Sequence, residues 1–128
     1  MTLPENSKRA AGSGGSTIRG LVINRFTGDG IAVLSNGNRI VGNFVGVDPT
    51  GTTRMPNGAD GIVVENASNN LIGTPALADR NIASGNSLDG IHIIGALTAP
   101  ATGNVIQNNF VGVAADGKSS VGNRTEPV

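Results

Sequence analysis

The sequence predicts an all-β protein, a right-handed, single-stranded parallel β-helix (solenoid) of about five coils of roughly 22 residues. Composition is the first indication, because 20 of the 128 residues are Gly and only three are aromatic, all Phe. Small branched side chains must therefore fill the interior. The second indication is a repeated segment: Asn38–Gly51 and Asn104–Gly117 share eight identical positions. The third is a succession of short β-branched runs separated by Gly, Asn and Asp, which suit tight corners.

The repeat divides the chain into coils. One copy begins at position 38 and the other at position 104, an offset that three intervals of 22 would explain. The five predicted coils are Ser16–Gly37, Asn38–Ala59, Asp60–Asp79, Arg80–Gly103 and Asn104–Thr125. The third residue of every coil is isoleucine: Ile18, Ile40, Ile62, Ile82 and Ile106. Equivalent positions of stacked parallel strands lie about 4.8 Å apart, so we expect these isoleucines to form one inward ladder.

The domain organisation follows from these coils. Residues 16–125 form the predicted β-helix, residues 1–15 an N-terminal tail, linker or cap, and residues 126–128 a C-terminal tail. A β-sandwich also has short strands between turns. A sandwich gives no reason for isoleucine to recur at one phase, so the period favours the solenoid.

Several strings resemble the repeats of bacterial right-handed parallel β-helix proteins of the pectate-lyase-like superfamily. They are STIRGLVI, GNRIVGNFVGVDPTGT, DGIVV, NASNNLIGT, RNIASGNSLDGIHI and TGNVIQNNFVGV, within Ser16–Asn123. The resemblance implies a fragment of, or a chain derived from, a secreted or cell-surface protein. It implies no single activity, because the same scaffold carries lyases, hydrolases, epimerases, adhesins and phage fibres.

Asparagine recurs near a predicted corner, at Asn43, Asn66, Asn86 and Asn109. One interpretation is a polar stripe that binds a ligand. The interpretation we favour is an internal ladder, in which stacked amides hydrogen-bond along the rod and satisfy the corner backbone.

Few residues offer chemistry. His92 is the one histidine, and alternation in Gly90–Ile94 places it opposite Ile91 and Ile93. Asp89, three residues before it, is a candidate to orient it as a general base. Asp79 and Arg80 form a second weak candidate pair, whereas Asp-Gly-Ile strings at Asp29, Asp60 and Asp89 indicate turns. We therefore predict no assigned catalytic residue, no metal and no cofactor.

The charge pattern excludes some partners. Nine basic residues balance nine acidic ones, which argues against nucleic acid binding. No apolar run is long enough to span a membrane, and no secretory leader opens the chain. The absence of Cys excludes a disulfide framework.

Two functions of different class remain. The first is a non-catalytic structural or adhesive scaffold, part of an extracellular or surface protein. The alternative is a carbohydrate-active β-helix, or a sugar-binding remnant of one, with polysaccharide as partner. The ends of such a rod expose unpaired strand edges, so we also expect self-association through them.

Overall fold

A computed structural model describes residues 1–3 and 14–124. The described chain is nearly all-β, with one 3₁₀ turn at Leu77–Asp79. In this part of the chain no helix has the length and apolarity that crossing a membrane requires. The strands are β1 Thr2–Leu3, β2 Thr17–Arg19, β3 Val22–Ile23, β4 Ile31–Val33, β5 Arg39–Val41, β6 Phe44–Val45, β7 Ile62–Glu65, β8 Leu71–Ile72, β9 Ile82–Ala83, β10 Ile91–Ile94, β11 Val105–Ile106 and β12 Phe110–Val111.

The strands form three four-stranded sheets in which every pairing is parallel. Sheet I has the order β1-β4-β7-β10, sheet II has β2-β5-β8-β11, and sheet III has β3-β6-β9-β12. From β2 onward the chain passes through sheets II, III and I in turn, a passage called a circuit below. Strands β2–β4, β5–β7 and β8–β10 make three circuits, and β11 and β12 begin a fourth. The expected count of five coils is therefore wrong for the described chain.

The strand register explains this difference. In sheet II, Thr17 pairs with Arg39, Arg39 with Leu71, and Leu71 with Val105. Hydrogen bonds between the corners that precede these strands join residues 22, 32 and 34 positions apart in turn. The two repeated segments are thus separated by two long circuits and not by three short ones. Only the first circuit is short, because later circuits carry longer loops at their corners.

The isoleucine ladder also differs from expectation. Sheet II contains the aligned set Ile18, Ile40, Ile72 and Ile106. Ile62 lies in sheet I instead, aligned with Ile31 and Ile91. Ile82 lies in sheet III between Phe44 and Phe110. The single ladder is therefore wrong for Ile62 and Ile82, because each sheet has a ladder of its own.

Two hydrophobic clusters result. The larger one lies between the three sheets and contains isoleucines and valines such as Ile31, Ile40 and Val45, none of them exposed. The smaller one lies on the other face of sheet III, where Val47 and Val121 pack with Ile82. Two hairpins closed by the Val47–Arg54 and Val113–Ser120 bridges flank this second cluster.

Asparagine side chains stack at all three corners of the circuit. The columns are Asn38–Asn70–Asn104, Asn43–Asn81–Asn109 and Asn57–Asn86–Asn123, each joined by amide–amide hydrogen bonds. The expected ladder of four is wrong in its membership, because its residues do not share one column. Asn43 and Asn109 lie in the second column and Asn86 in the third, whereas Asn66 is exposed with a φ of 52°.

Asn81 illustrates the bonding in a column. Its Oδ1 accepts the Asn43 backbone N–H at 3.0 Å and the Asn43 side-chain amide at 3.1 Å. Its Nδ2 donates to Ile40 O at 2.8 Å and to Asn109 Oδ1 at 2.9 Å. One buried amide therefore satisfies main-chain groups of the preceding circuit, where the corner interrupts the sheet hydrogen bonds.

The terminal assignments are only partly described. Thr2–Leu3 pairs with β4, and Gly15 N–H donates to Asn36 O at 3.2 Å. Residues 4–13 of the predicted N-terminal tail, linker or cap lie outside the described residues, as does the whole predicted C-terminal tail, 126–128.

Candidate functional site

An aspartate column precedes the strands of sheet I. Asp29, Asp60 and Asp89 each stand before Gly and Ile, and they occupy equivalent corners. Asp60 N–H donates to Asp29 Oδ1 at 3.0 Å, and Asp89 N–H donates to Asp60 Oδ1 at 2.9 Å. The Asp-Gly-Ile strings thus lie at corners, where one oxygen of each of the first two carboxylates binds the backbone of the next circuit and not that of its own turn.

His92 lies beside the last two aspartates of this column. It is the second residue of β10 and aligns with Val63, on the opposite face from Ile91 and Ile93, as alternation predicted. Its Nδ1 lies 2.8 Å from Asp60 Oδ2 and 3.9 Å from Asp89 Oδ2. The side chain of His92 is 40% exposed, whereas that of Asp60 is 11% exposed.

The carboxylate nearest to His92 is thus Asp60, and not the expected Asp89. Asp60 comes from the preceding circuit, 32 residues earlier in the chain. Sequence spacing favoured Asp89 because it lies only three residues before the histidine. The signal that could have indicated Asp60 is the recurrence of Asp-Gly-Ile at positions 29, 60 and 89, which sets those corners one above another.

Arg124 is the fourth residue of a charged cluster that also contains Asp60, Asp89 and His92. Its Nη2 lies 2.8 Å from Asp89 Oδ1, on the other oxygen from the one nearest His92. Nothing in the sequence pattern indicated this residue, because it lies in the predicted coil Asn104–Thr125 beyond the repeated segment, which ends at Gly117.

The cluster favours the protonated imidazole. The hydrogen bond to Asp60 is the main cause that raises the pKa of His92, and the negative charges of Asp60 and Asp89 add to it. Partial burial and the Arg124 guanidinium act against this increase. The raised pKa extends the pH range over which His92 carries a proton. Asp60, Asp89 and His92 also offer one nitrogen and two oxygens within 4.8 Å of one another. Among residues 1–3 and 14–124 this is the one group of its kind that could hold a metal ion.

Asp79 and Arg80, the second candidate pair, have separate partners. Asp79 accepts a 2.6 Å hydrogen bond from the Thr74 hydroxyl and lies 2.7 Å from Arg19 Nη1. The Thr74 hydrogen bond, followed by Arg19, lowers the pKa of Asp79. Its backbone oxygen accepts Gly42 N–H at 3.0 Å, so Asp79 fastens the 3₁₀ turn against sheet II.

Arg80 points elsewhere. Its guanidinium carbon lies 4.0 Å from the centroid of the Phe110 ring, a cation–π contact, and its Nε donates to Asn108 O at 3.0 Å. The structure therefore unites Asp89 with His92 but assigns Asp79 and Arg80 to contacts that hold the fold.

The hairpin aspartates have local partners too. Asp48 Oδ1 accepts the Thr52 N–H at 3.0 Å, and Asp116 Oδ1 accepts the Lys118 N–H at 2.7 Å. Hydrogen bonds from these turns lower the pKa of both carboxyl groups. Each hairpin supplies one aspartate, fewer oxygens than a calcium site of six to eight ligands requires.

No family model, curated protein or solved structure matches this chain.

Proposed function

We propose that the chain is a right-handed parallel β-helix that acts as a rigid, non-catalytic structural or adhesive scaffold. In this proposal it is a segment of a larger extracellular or cell-surface protein, as the resemblance to the pectate-lyase-like superfamily implies. Its three parallel sheets and the recurring order of sheets II, III and I support a solenoid. The hand follows from the strong general preference for right-handed crossovers between parallel strands.

The observation that carries the proposal is the use of polar side chains within the rod. Nine asparagines bond to one another and to the backbone at the corners. Among the described residues, no buried side-chain nitrogen or oxygen lacks a hydrogen-bond partner. Asparagines that bond across successive circuits stiffen a rod. Few of the described polar side chains remain without such a structural contact, so few are left to form a binding site on the surface.

One observation favours the carbohydrate-active or sugar-binding alternative. The His92–Asp60 pair is partly exposed and has the form of a histidine that a carboxylate orients for proton transfer. Polysaccharide sites also use aromatic platforms, and the chain has neither Trp nor Tyr. The scaffold therefore remains the better-supported proposal.

A polysaccharide panel separates the two functions. The chain and its His92→Ala variant are tested for binding and for cleavage products on acidic and neutral glycans. The scaffold proposal predicts no turnover by either protein. Turnover that the His92→Ala change abolishes would establish the alternative.

The scaffold proposal includes association of one copy with another. Ile106 and Val111 belong to the last strands of sheets II and III and are 44% and 47% exposed. Their partners one circuit earlier, Ile72 and Ala83, have no exposed surface. A second copy that stacks on this end would cover the apolar side chains and pair the strand edges.

A further inference from the structure

We infer that Asp60, Asp89 and His92 form a binding site for a divalent transition-metal ion of the zinc type. The three ligand atoms are His92 Nδ1, Asp60 Oδ2 and Asp89 Oδ2. They come from two successive circuits and meet at the corner that precedes sheet I.

Their spacing suits one ion. Two ligands about 2.1 Å from a tetrahedral zinc ion lie about 3.4 Å from each other. His92 Nδ1 lies 2.8 Å from Asp60 Oδ2 and 3.9 Å from Asp89 Oδ2, on either side of that value. All three atoms lie within 4.8 Å of one another. Side-chain adjustments of less than about 1 Å would bring them to zinc-binding distances.

The backbone holds two of the three ligands in place. Asp60 Oδ1 accepts Asp89 N–H at 2.9 Å, which fixes the Asp60 carboxylate and leaves its Oδ2 toward His92. The register of β10 against β7 sets the backbone position of His92, and the 2.8 Å contact with Asp60 Oδ2 orients its ring. A site held in this way loses little conformational freedom when an ion binds.

The donor set selects the class of metal. An imidazole nitrogen with two carboxylate oxygens suits zinc and its neighbours, and the two carboxylates balance the double charge. Calcium requires six to eight oxygen ligands, which this cluster does not provide.

The aspartate column also contains a corner that lacks the histidine and serves as a comparison. Asp29 occupies the same corner two circuits before Asp89, but the position aligned with His92 holds Ala32 in that circuit. The site is therefore confined to the last two aspartates. Arg124 competes for it, because its Nη2 lies 2.8 Å from Asp89 Oδ1.

Isothermal titration of the untagged, full-length chain with zinc chloride tests the inference, with calcium chloride as a parallel titration. We expect one zinc equivalent per chain and no comparable calcium binding. The His92→Gln and Asp89→Asn variants should each bind zinc at least about tenfold more weakly, since even losing an outer partner of a ligand commonly costs that much. The Asp29→Asn control should bind like the parent, and Arg124→Gln should bind more tightly.

His92→Gln is expected to fold, because its aligned positions in other circuits hold Ala32 and Val63, and circular dichroism checks this. The inference is overturned if zinc does not bind at about 100 µM, a weak limit for a protein metal site. Equal zinc affinity of the parent and the folded His92→Gln variant would also overturn it. Neither result would change the scaffold proposal, which the glycan panel tests separately.

Discussion

At the scale of single residues, asparagine amides supply hydrogen-bond partners for the main chain at the corners. The backbone N–H and C=O groups of a strand hydrogen-bond to the neighbouring strands of the sheet. At a corner the backbone leaves the sheet, so these groups need other partners. Each asparagine in a column offers a donor and an acceptor to the circuits beside it. Asn43, Asn81 and Asn109 therefore form a continuous line of polar contacts through three successive circuits.

The middle of a column should be the most sensitive position. Asn81→Ala removes four hydrogen bonds at a fully buried site and leaves main-chain groups without partners. We expect it to lower the free energy of unfolding by about 3 kcal/mol. Asn109→Ala, in the same column but only partly buried, should cost less in denaturant titrations. Equal losses would contradict the column as described.

The raised pKa of His92 predicts a pH dependence of stability. Because the folded pKa lies above the unfolded value of 6.5, the histidine adds stability below that value. This contribution is lost as the pH rises through the folded pKa. Near pH 5.5 the free energy of unfolding of the parent should therefore exceed that of His92→Gln. The difference should be less than about 1 kcal/mol, because the ion pair is partly exposed.

The advantage should shrink as the pH rises from 5.5 to 8.5, because the contribution is lost when the pH passes through the folded pKa of His92. Urea unfolding at both pH values, with a chelator present to exclude metal, measures the difference. An advantage that grows with pH would refute the assigned ion pair.

Sequence alternation predicted the face on which His92 lies, because a strand has a fixed period of two. It did not identify Asp60 as the nearest carboxylate, because that contact depends on how many residues the preceding circuit contains. Contacts within one strand follow from local geometry. Contacts between circuits can be predicted only when the register of one circuit on the next is known.

At the scale of elements, the closeness of stacked circuits constrains glycine. Gly46 follows β6 with a φ of 95°, and a Cβ there would lie 2.1 Å from Ser84 O of the next circuit. Gly112 follows β12 with a φ of 83°, and a Cβ there would meet nothing within 4 Å. The two positions share a backbone conformation and differ in what stacks on them.

This pair separates backbone strain from stacking. Gly112→Ala should lower stability by about 1–2 kcal/mol, the cost of a left-handed backbone at a non-glycine residue. Gly46→Ala adds a clash with main-chain atoms and should cost clearly more. Thermal and urea unfolding of both variants measure the difference, and similar losses would argue against a circuit stacked on Gly46.

The elements themselves were predictable, but their period was not. The repeated segments at Asn38 and Asn104 indicated stacking, yet their offset fits two long intervals as well as three short ones. Loop length does not alter which apolar residues face inward, so it leaves no trace in the pattern. The aspartates of the Asp-Gly-Ile strings, 31 and then 29 positions apart, carry the longer period.

At the scale of the whole molecule, β11 and β12 expose the apolar side chains of Ile106 and Val111 among the described residues. We expect the chain to associate through these strands, and we expect Val111→Lys to weaken association by placing a charge on the exposed edge. Light scattering at tens of micromolar measures the mass of both proteins. A monomeric parent would contradict the proposed association.

Disulfide trapping measures the register that stacks one circuit of sheets II, III and I on the next. The chain has no cysteine, so two pairs can be introduced that share one member: Arg39→Cys with Leu71→Cys, and Pro49→Cys with Leu71→Cys. Arg39 and Leu71 are register partners in sheet II, whereas a constant period of 22 would place Pro49 beside Leu71. The structure predicts rapid intramolecular oxidation of the first pair and not the second, since a disulfide needs Cα atoms closer than about 7 Å. Efficient closure of the Pro49 pair, with none for the Arg39 pair, would contradict this register.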